Sequence, residues 1–303
     1  MDPRPQAGAP RLAVAIPTVG RPAILAETLC ELDGQLRLPD EVLICPTSPA
    51  DLPCALTSRA PLRIIALPEG TTPGASLQRN VMLDATTSDI IVFLDDDFFP
   101  ARAYLAAVEA AFTGNPGLVA ATGTVLADGA TGPGLTAAAA RARLALDQAA
   151  NAPAGGDAPV AGTYGCNMAF RVTTVRQHGL RFDENLPLYS WQEDNDFSRR
   201  LSRHGRILRL AGARGVHLGH KGGKTSGVRF GYSQVANFAY LVRKGSVPAG
   251  VAVRHILRNL AANIAHAPSP EPWVDRRGRL RGNLLALADL LHGRCDPRRI
   301  LSL

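Results

Sequence analysis

Four short apolar runs within the first 94 residues constrain this chain most: Leu12-Ala13-Val14-Ala15-Ile16, Glu41-Val42-Leu43-Ile44-Cys45, Leu62 to Leu67 and Asp89-Ile90-Ile91-Val92-Phe93-Leu94. Apolar runs of this length without strict polar alternation read as strands covered on both faces, the condition of a parallel sheet. After Pro22 the residues Ile24, Leu25, Leu29 and Leu32 share one side of a helix, and a second helix is expected around Ala75 to Ala85. Repeated β and α elements in this order imply an α/β doubly wound sheet joined by right-handed crossovers. A chain of 303 residues can bury the core of one large domain of this kind together with an appendage.

Further along, the pattern predicts a helix from Ala101 to Phe112 and a strand from Leu118 to Leu126. An Ala/Gly/Pro stretch follows from Ala127 to Pro159, with an alanine-rich helix over Leu135 to Ala150 and a mobile loop over Asn151 to Pro159. Strands are expected again at Tyr164 to Phe170 and Ile207 to Leu210, before a glycine-rich loop from Gly215 to Gly227. Val253, Ile256, Leu257, Leu260 and Ile264 recur at helical spacing, and Leu280 to Leu291 is of the same character. The division this suggests is a catalytic body over 1–245 and a basic, mainly helical extension over 246–303.

The formal charge of +7 is concentrated toward the C-terminal end: residues 241–303 hold 11 basic and 4 acidic side chains, whereas the remainder is balanced. A basic tail on a neutral body fits an anionic surface, with a lipid headgroup layer the expected partner and nucleic acid not expected. The same arginines also suit a solvated surface, and the helix over 248–266 suits packing on the core. Cys30, Cys45, Cys54, Cys166 and Cys295 form no CxxC pair, which excludes a zinc ribbon or a disulfide framework. No signal-peptide pattern opens the chain and no apolar stretch approaches the ~20 residues that span a bilayer. The expectation is a cytoplasmic protein, with a peripheral place at the inner membrane surface.

The chemistry concentrates in three segments. Asp95, Asp96 and Asp97 follow the fourth apolar run, at the carboxyl edge where open α/β sheets bind ligands. Adjacent carboxylates repel, and hard oxygen ligands suit Mg²⁺ or Mn²⁺. An acidic turn capping the helix after Pro100 is the structural alternative. Glu193-Asp194-Asn195-Asp196 opens a second helix, where acids complement the helix dipole or, near a sugar donor, supply a general base. The loop His217-Leu218-Gly219-His220-Lys221-Gly222-Gly223-Lys224 combines imidazoles, ammonium groups and glycines able to approach a pyrophosphate. It is not a Walker A loop, because Leu218 stands where the first glycine is required.

Together and in order, these elements resemble family 2 glycosyltransferases, inverting enzymes with the GT-A fold. The resemblance covers about residues 11–245. It rests on Val14-Ala15-Ile16-Pro17-Thr18-Val19-Gly20-Arg21, on Gly74 to Asn80, on Phe93-Leu94-Asp95-Asp96-Asp97, on Gly165 to Arg171, and on Glu193-Asp194. The resemblance implies a mixed, mainly parallel α/β sheet flanked by helices, with a helical C-terminal extension. It implies transfer of a sugar from a nucleotide-diphosphate donor, UDP foremost, to a saccharide or lipid-linked acceptor. Pro17, Thr18, Arg21, Arg79, Asn80, Asp95 and Asp96 would lie against the nucleotide, with Lys221 and Lys224 near its phosphates. Asp97 would bind Mn²⁺ or Mg²⁺ with Asp95, and His217 and His220 are rival further ligands. Asp194, beside Glu193, would be the catalytic base. The acid after the second run comes late, at Asp51, which leaves base recognition open. The competing functions are a sugar-nucleotide nucleotidyltransferase and a non-catalytic sugar-binding module.

Overall fold

The computed structural model describes residues 8–150, 155–222 and 226–303. The four apolar runs form β1 (Leu12–Thr18), β2 (Glu41–Pro46), β3 (Leu62–Ile64) and β4 (Ile90–Leu94), all parallel, with α1 (Pro22–Asp33) after β1 and α2 (Ala75–Ala85) before β4. β1, β2 and β4 are buried along their whole length, which is why their sequences show no polar alternation.

Beyond β4 the sheet becomes mixed. β5 (Phe98–Pro100), α3 (Tyr104–Gly114), β6 (Leu118–Asp128), α4 (Ala137–Ala150), β7 (Ala158–Pro159), β8 (Asn167–Arg171), α5 (Val172–Gln177), α6 (Glu193–Leu201) and β9 (Arg206–His217) follow in turn. The strand order is β3-β2-β1-β4-β8-β6-β9-β5, with β7 paired to β9. β8 runs antiparallel between β4 and β6, while β9 is parallel to β6. A core of Leu12, Val14, Ile16, Leu25, Leu29, Val92, Leu105 and Val108 joins these strands to α1 and α3. The chain ends in α7 (Gly227–Lys244), α8 (Ala249–His266) and α9 (Arg276–Leu291). This is the α/β class expected, a sheet with a parallel half, flanked by helices and followed by a helical C-terminal region.

Three elements differ from the sequence pattern. β9 extends from Arg206 to His217 rather than ending at Leu210, its apolar rhythm broken by Arg209, Gly212, Arg214 and Gly215. A side chain at Gly215 would meet the Phe98 ring at 2.3 Å. Phe98-Phe99-Pro100 forms β5 against Gly215–His217 instead of leading directly into a helix. α7 has no clean apolar stripe, because its buried face includes Ser233, Gln234 and Asn237 beside Tyr232, Val235, Ala236 and Phe238.

The chain divides into two compact units, and the division falls inside α2 and α6. One unit holds Met1–Thr71, Leu77–Arg181 and Phe197–Gly223; the other holds Thr72–Ser76, Phe182–Asp196 and Lys224–Leu303. α7 groups with α8 and α9 in the second unit. In this second unit α7 and α9 cross closely at glycines: a Cβ on Gly231 would lie 2.1 Å from Arg279 O, and one on Gly282 2.1 Å from Val228 O. Beside the crossing, Asn263 Nδ2 donates to Gln234 Oε1 (2.9 Å) and Asn283 Oδ1 (2.8 Å), and Asn283 Nδ2 donates to Gly231 O (2.7 Å). Buried carboxamides thus satisfy one another, and the Arg276 guanidinium completes the network by donating from Nη1 to Asn263 Oδ1 (3.2 Å).

Candidate metal and nucleotide site

β4 delivers three carboxylates that leave the strand in different directions. Asp95 N–H donates to Cys166 O (3.1 Å), and Phe98 N–H returns to Asp95 O (3.0 Å), closing a turn at the carboxyl edge. Asp95 remains partly exposed, whereas Asp96 and Asp97 are 0% and 1% exposed. Asp96 faces β1 and α1. Its Oδ2 accepts from Thr18 Oγ1 (2.6 Å) and Arg21 Nε (3.2 Å), its Oδ1 lies 2.6 Å from Arg21 Nη2, and Thr28 Oγ1 donates to its carbonyl (2.6 Å). Burial lifts the Asp96 carboxyl to about 7 despite the Arg21 guanidinium.

Asp97 faces the end of β9. Its Oδ2 accepts from His220 N–H (2.7 Å) and lies 3.2 Å from Arg21 Nη1. Its Oδ1 is 3.5 Å from His217 Nε2, which is also 4.0 Å from Asp95 Oδ2. The other imidazole nitrogen, Nδ1, is 2.9 Å from Asp128 Oδ1 at the end of β6. Asp128 is held in turn by Ala130 N–H (2.9 Å) and Tyr164 Oη (2.8 Å). The approach of the two strand ends depends on glycine. A Cβ on Gly129 would lie 2.0 Å from Leu218 O, and one on Gly219, at φ +62°, 2.2 Å from Gly129 C.

These residues fit a divalent cation. Asp97 Oδ1 is buried without a hydrogen-bond partner, and Asp95, Asp97 and His217 each offer one ligand atom, all within 4.8 Å of one another. Two carboxylate oxygens and an imidazole nitrogen form a donor set for Mn²⁺ or Mg²⁺. Burial opposes charge on both Asp97 and His217, yet their pairing prevails: the Asp97 carboxyl falls to about 2, while Asp128 and Asp97 raise the imidazole to about 10. A cation bound by His217 would replace the proton on Nε2.

The model of the family described as glycosyltransferase like family 2 matches residues 10–214, more than half of the chain. The chain belongs to glycosyltransferase family 2. Among curated protein sequences none matches it. Solved structures of the same fold include a Pyrobaculum calidifontis mannosyltransferase in complex with GDP-Man and Mn²⁺: 19% identity, TM-score 0.54, covering 99% of this chain and 86% of that one. TarS 1-349 of S. aureus aligns at 14% identity and TM-score 0.52, over 92% of this chain and 72% of that one. Its complex with UDP-GlcNAc aligns at 15% identity and TM-score 0.52, over 77% and 66%.

The other residues singled out in this family 2 glycosyltransferase occupy several settings. Pro17 and Thr18 are buried at the end of β1, where Gln78 Nε2 donates to Thr18 O (3.1 Å) and Cys45 O (2.6 Å). Arg79 Nη2 lies 3.5 Å from Asp95 Oδ1 and donates to Gly165 O (3.3 Å), and Asn80 is buried on the same helix. Lys221 Nζ donates to Gly129 O (3.0 Å) and Ala130 O (3.1 Å), tying the loop after β9 to the loop after β6. His220 is not in the cation cluster of the described residues; its Nδ1 accepts from Gly222 N–H (3.1 Å). Lys224 lies outside the described residues. Glu193 and Asp194 belong to the second unit, in the first turn of α6, where Asp194 Oδ1 accepts from Asn195 N–H (2.7 Å).

Two acids were not assigned a role by sequence reasoning. Asp128 ends a strand immediately before Gly129, and that Asp-Gly junction was its only local signal. Asp51, the late acid after β2, is buried and joins two loops: Oδ1 accepts from Gly20 N–H (2.7 Å), and Oδ2 from Thr47 N–H (2.9 Å), Thr47 Oγ1 (2.6 Å) and Ser48 N–H (2.9 Å).

Proposed function

We propose that this glycosyltransferase moves a sugar from a nucleotide-diphosphate donor, UDP foremost, to a hydroxyl of a saccharide or lipid-linked acceptor, with inversion at the anomeric carbon. The observation that carries this reading is Asp97 Oδ1, buried without a hydrogen bond and facing the Nε2 of a histidine at 3.5 Å. Asp95, Asp97 and His217 would hold Mn²⁺ or Mg²⁺, which when bound neutralises a diphosphate leaving group as it gains charge. Arg21 holds Asp96 and Asp97 in place from the loop after β1, and Asp128 orients His217. Lys221 fastens the loop that brings His220 N–H to Asp97. Asp194 accepts the acceptor hydroxyl proton; the first turn of a helix suits its negative charge. Glu193 adjoins it at the start of the same helix. The mannosyltransferase complex with GDP-Man and Mn²⁺ and the TarS complex with UDP-GlcNAc support a nucleotide-sugar donor.

A peripheral membrane place fits the exposed Val253, Leu257 and Ile264 of α8, which alternate with exposed Arg254 and Arg258. Among the described residues no helix is long and apolar enough to cross a bilayer.

The test is a thermal-shift series with UDP-, GDP- and dTDP-sugars, with and without Mn²⁺. One donor class is expected to raise the melting temperature only with the metal, and Asp194→Asn is expected to keep that shift while losing transfer. Equal shifts with and without Mn²⁺ would refute the metal role, and normal turnover by Asp194→Asn would refute the base.

A further inference from the structure

Just ahead of Glu193 the backbone is held in an uncommon conformation. Leu188, Ser190 and Gln192 have φ of +57°, +54° and +81°, and none of them is glycine. Such a segment persists only where its surroundings impose it, and strain of this kind collects at ligand sites. Here Ser190 Oγ donates to Leu186 O (2.6 Å) and accepts from Ser76 N–H (3.1 Å), while Ala75 N–H donates to Leu188 O (2.9 Å). Asn237 Nδ2 donates to Trp191 O (2.8 Å).

The loop so fixed presents aromatic rings. Tyr189 is 56% exposed, with its ring centroid 5.7 Å from that of Phe230 on α7, and Trp191 packs on Phe230 at the same distance and on Phe238 at 5.3 Å. The Arg279 guanidinium lies over Phe230 at 4.5 Å, carried there by the close crossing of α7 and α9 at Gly231. Among the described residues this guanidinium has no hydrogen-bond or ion-pair partner. The nearby acids are committed elsewhere: Glu271 takes Arg276 through two contacts of 2.7 and 2.8 Å, and Asp275 caps α9 by accepting from Gly278 N–H (2.7 Å). Burial and the neighbouring Arg276 press the Arg279 pKa down, outweighing the opposing pull of Glu271 and Asp275.

An exposed aromatic ring accommodates the apolar face of a sugar, and a fixed guanidinium with its donors unclaimed accommodates an oxyanion. We propose that Tyr189, Trp191, Phe230 and Arg279 form a subsite for an acidic saccharide, the sugar resting on Tyr189 and its phosphate or carboxylate taken by Arg279. This deepens the glycosyl-transfer reading by assigning the chemical class of the acceptor, and it rests on that reading. Either oxyanion meets the same guanidinium geometry, so the probes separate them.

The experiment titrates the full-length protein with glucose 1-phosphate, glucuronate and neutral methyl glucoside, followed by saturation-transfer NMR. EDTA is present so that no cation at Asp95, Asp97 and His217 attracts phosphate. At least one acidic sugar is expected to bind more tightly than methyl glucoside, to weaken roughly tenfold in Arg279→Ala, and to regain part of the loss in Arg279→Lys. Tyr189→Ala weakens all three sugars. Equal binding of neutral and acidic sugars, equal binding by the wild type and Arg279→Ala, or no binding of any probe overturns the subsite. Nucleotide-sugar binding in Mn²⁺, measured on the same variants, stays at the wild-type level and reports separately on the donor-side reading. Should Arg279→Ala lose its fold, Arg279→Lys and Tyr189→Ala decide the outcome.

Discussion

Asp51 and Asp97 are both buried aspartates just beyond parallel strands of one sheet, yet their surroundings differ in kind. Every polar contact around Asp51 is a donor: three backbone N–H groups and one hydroxyl saturate its two oxygens. These donors hold its carboxyl below the usual range against the cost of burial. Asp97 has donors on Oδ2 only, while Oδ1 is enclosed beside an imidazole and within reach of a second carboxylate. A saturated buried acid organises the chain around it, and one with an enclosed oxygen free of donors keeps a place for a ligand. The contrast separates architecture from ligand capacity without reference to which residue is nearer a pocket.

The largest expected effect comes from removing the half-satisfied acid. Asp97→Ala should abolish the Mn²⁺-dependent shift with nucleotide sugars and cut transfer at least about 100-fold. An Asp97→Ala variant that retains the Mn²⁺-dependent shift would erase the distinction. Asp51→Ala should behave in the opposite way, losing about 3 kcal/mol in urea unfolding because buried N–H donors are stranded, with Mn²⁺ affinity retained. Asp128→Asn sharpens the middle ground. Its expected cost is about 10- to 100-fold in Mn²⁺ affinity by calorimetry, with little change in urea midpoint; unchanged affinity would place Asp128 with Asp51 as architecture. The smallest effect is a pH dependence. The folded Asp51 pKa is depressed, so its contribution is fully present above the unfolded value of about 4 and disappears as pH falls through the folded value. Urea midpoints measured downward from pH 5 should fall more steeply for the wild type than for Asp51→Asn, and parallel curves would show that Asp51 does not titrate with folding.

The parallel half of the fold was legible because its evidence is local. Each of Leu12 to Ile16, Val42 to Cys45 and Ile90 to Leu94 carries its two-sided burial in its own composition. The aspartate cluster was legible for a similar reason, since three acids after an apolar strand are conspicuous. Roles that depend on distant partners were not. Asp128 and His217 are 89 residues apart in sequence, and nothing near either one announces the other. The two histidines of the glycine-rich loop looked equivalent until the backbone placed only His217 in the cluster of described residues with Asp95 and Asp97. The carboxylate oxygens of Asp96 lie against Thr18 and Arg21, residues distant in sequence that nothing beside Asp96 announces. α7 escaped notice because a helix that buries Ser233, Gln234 and Asn237 does not show an apolar stripe.

The meeting of Gly129 and Gly219 has a consequence for how this centre tolerates change. The loops that follow Asp128 and His217 meet main chain against main chain, with no side chain between to be trimmed, swollen or repacked around a new neighbour. One added methyl group at either glycine therefore forces the two loops apart, and Asp128 and His217 with them. The junction beneath the cation cluster is brittle at two hydrogen atoms.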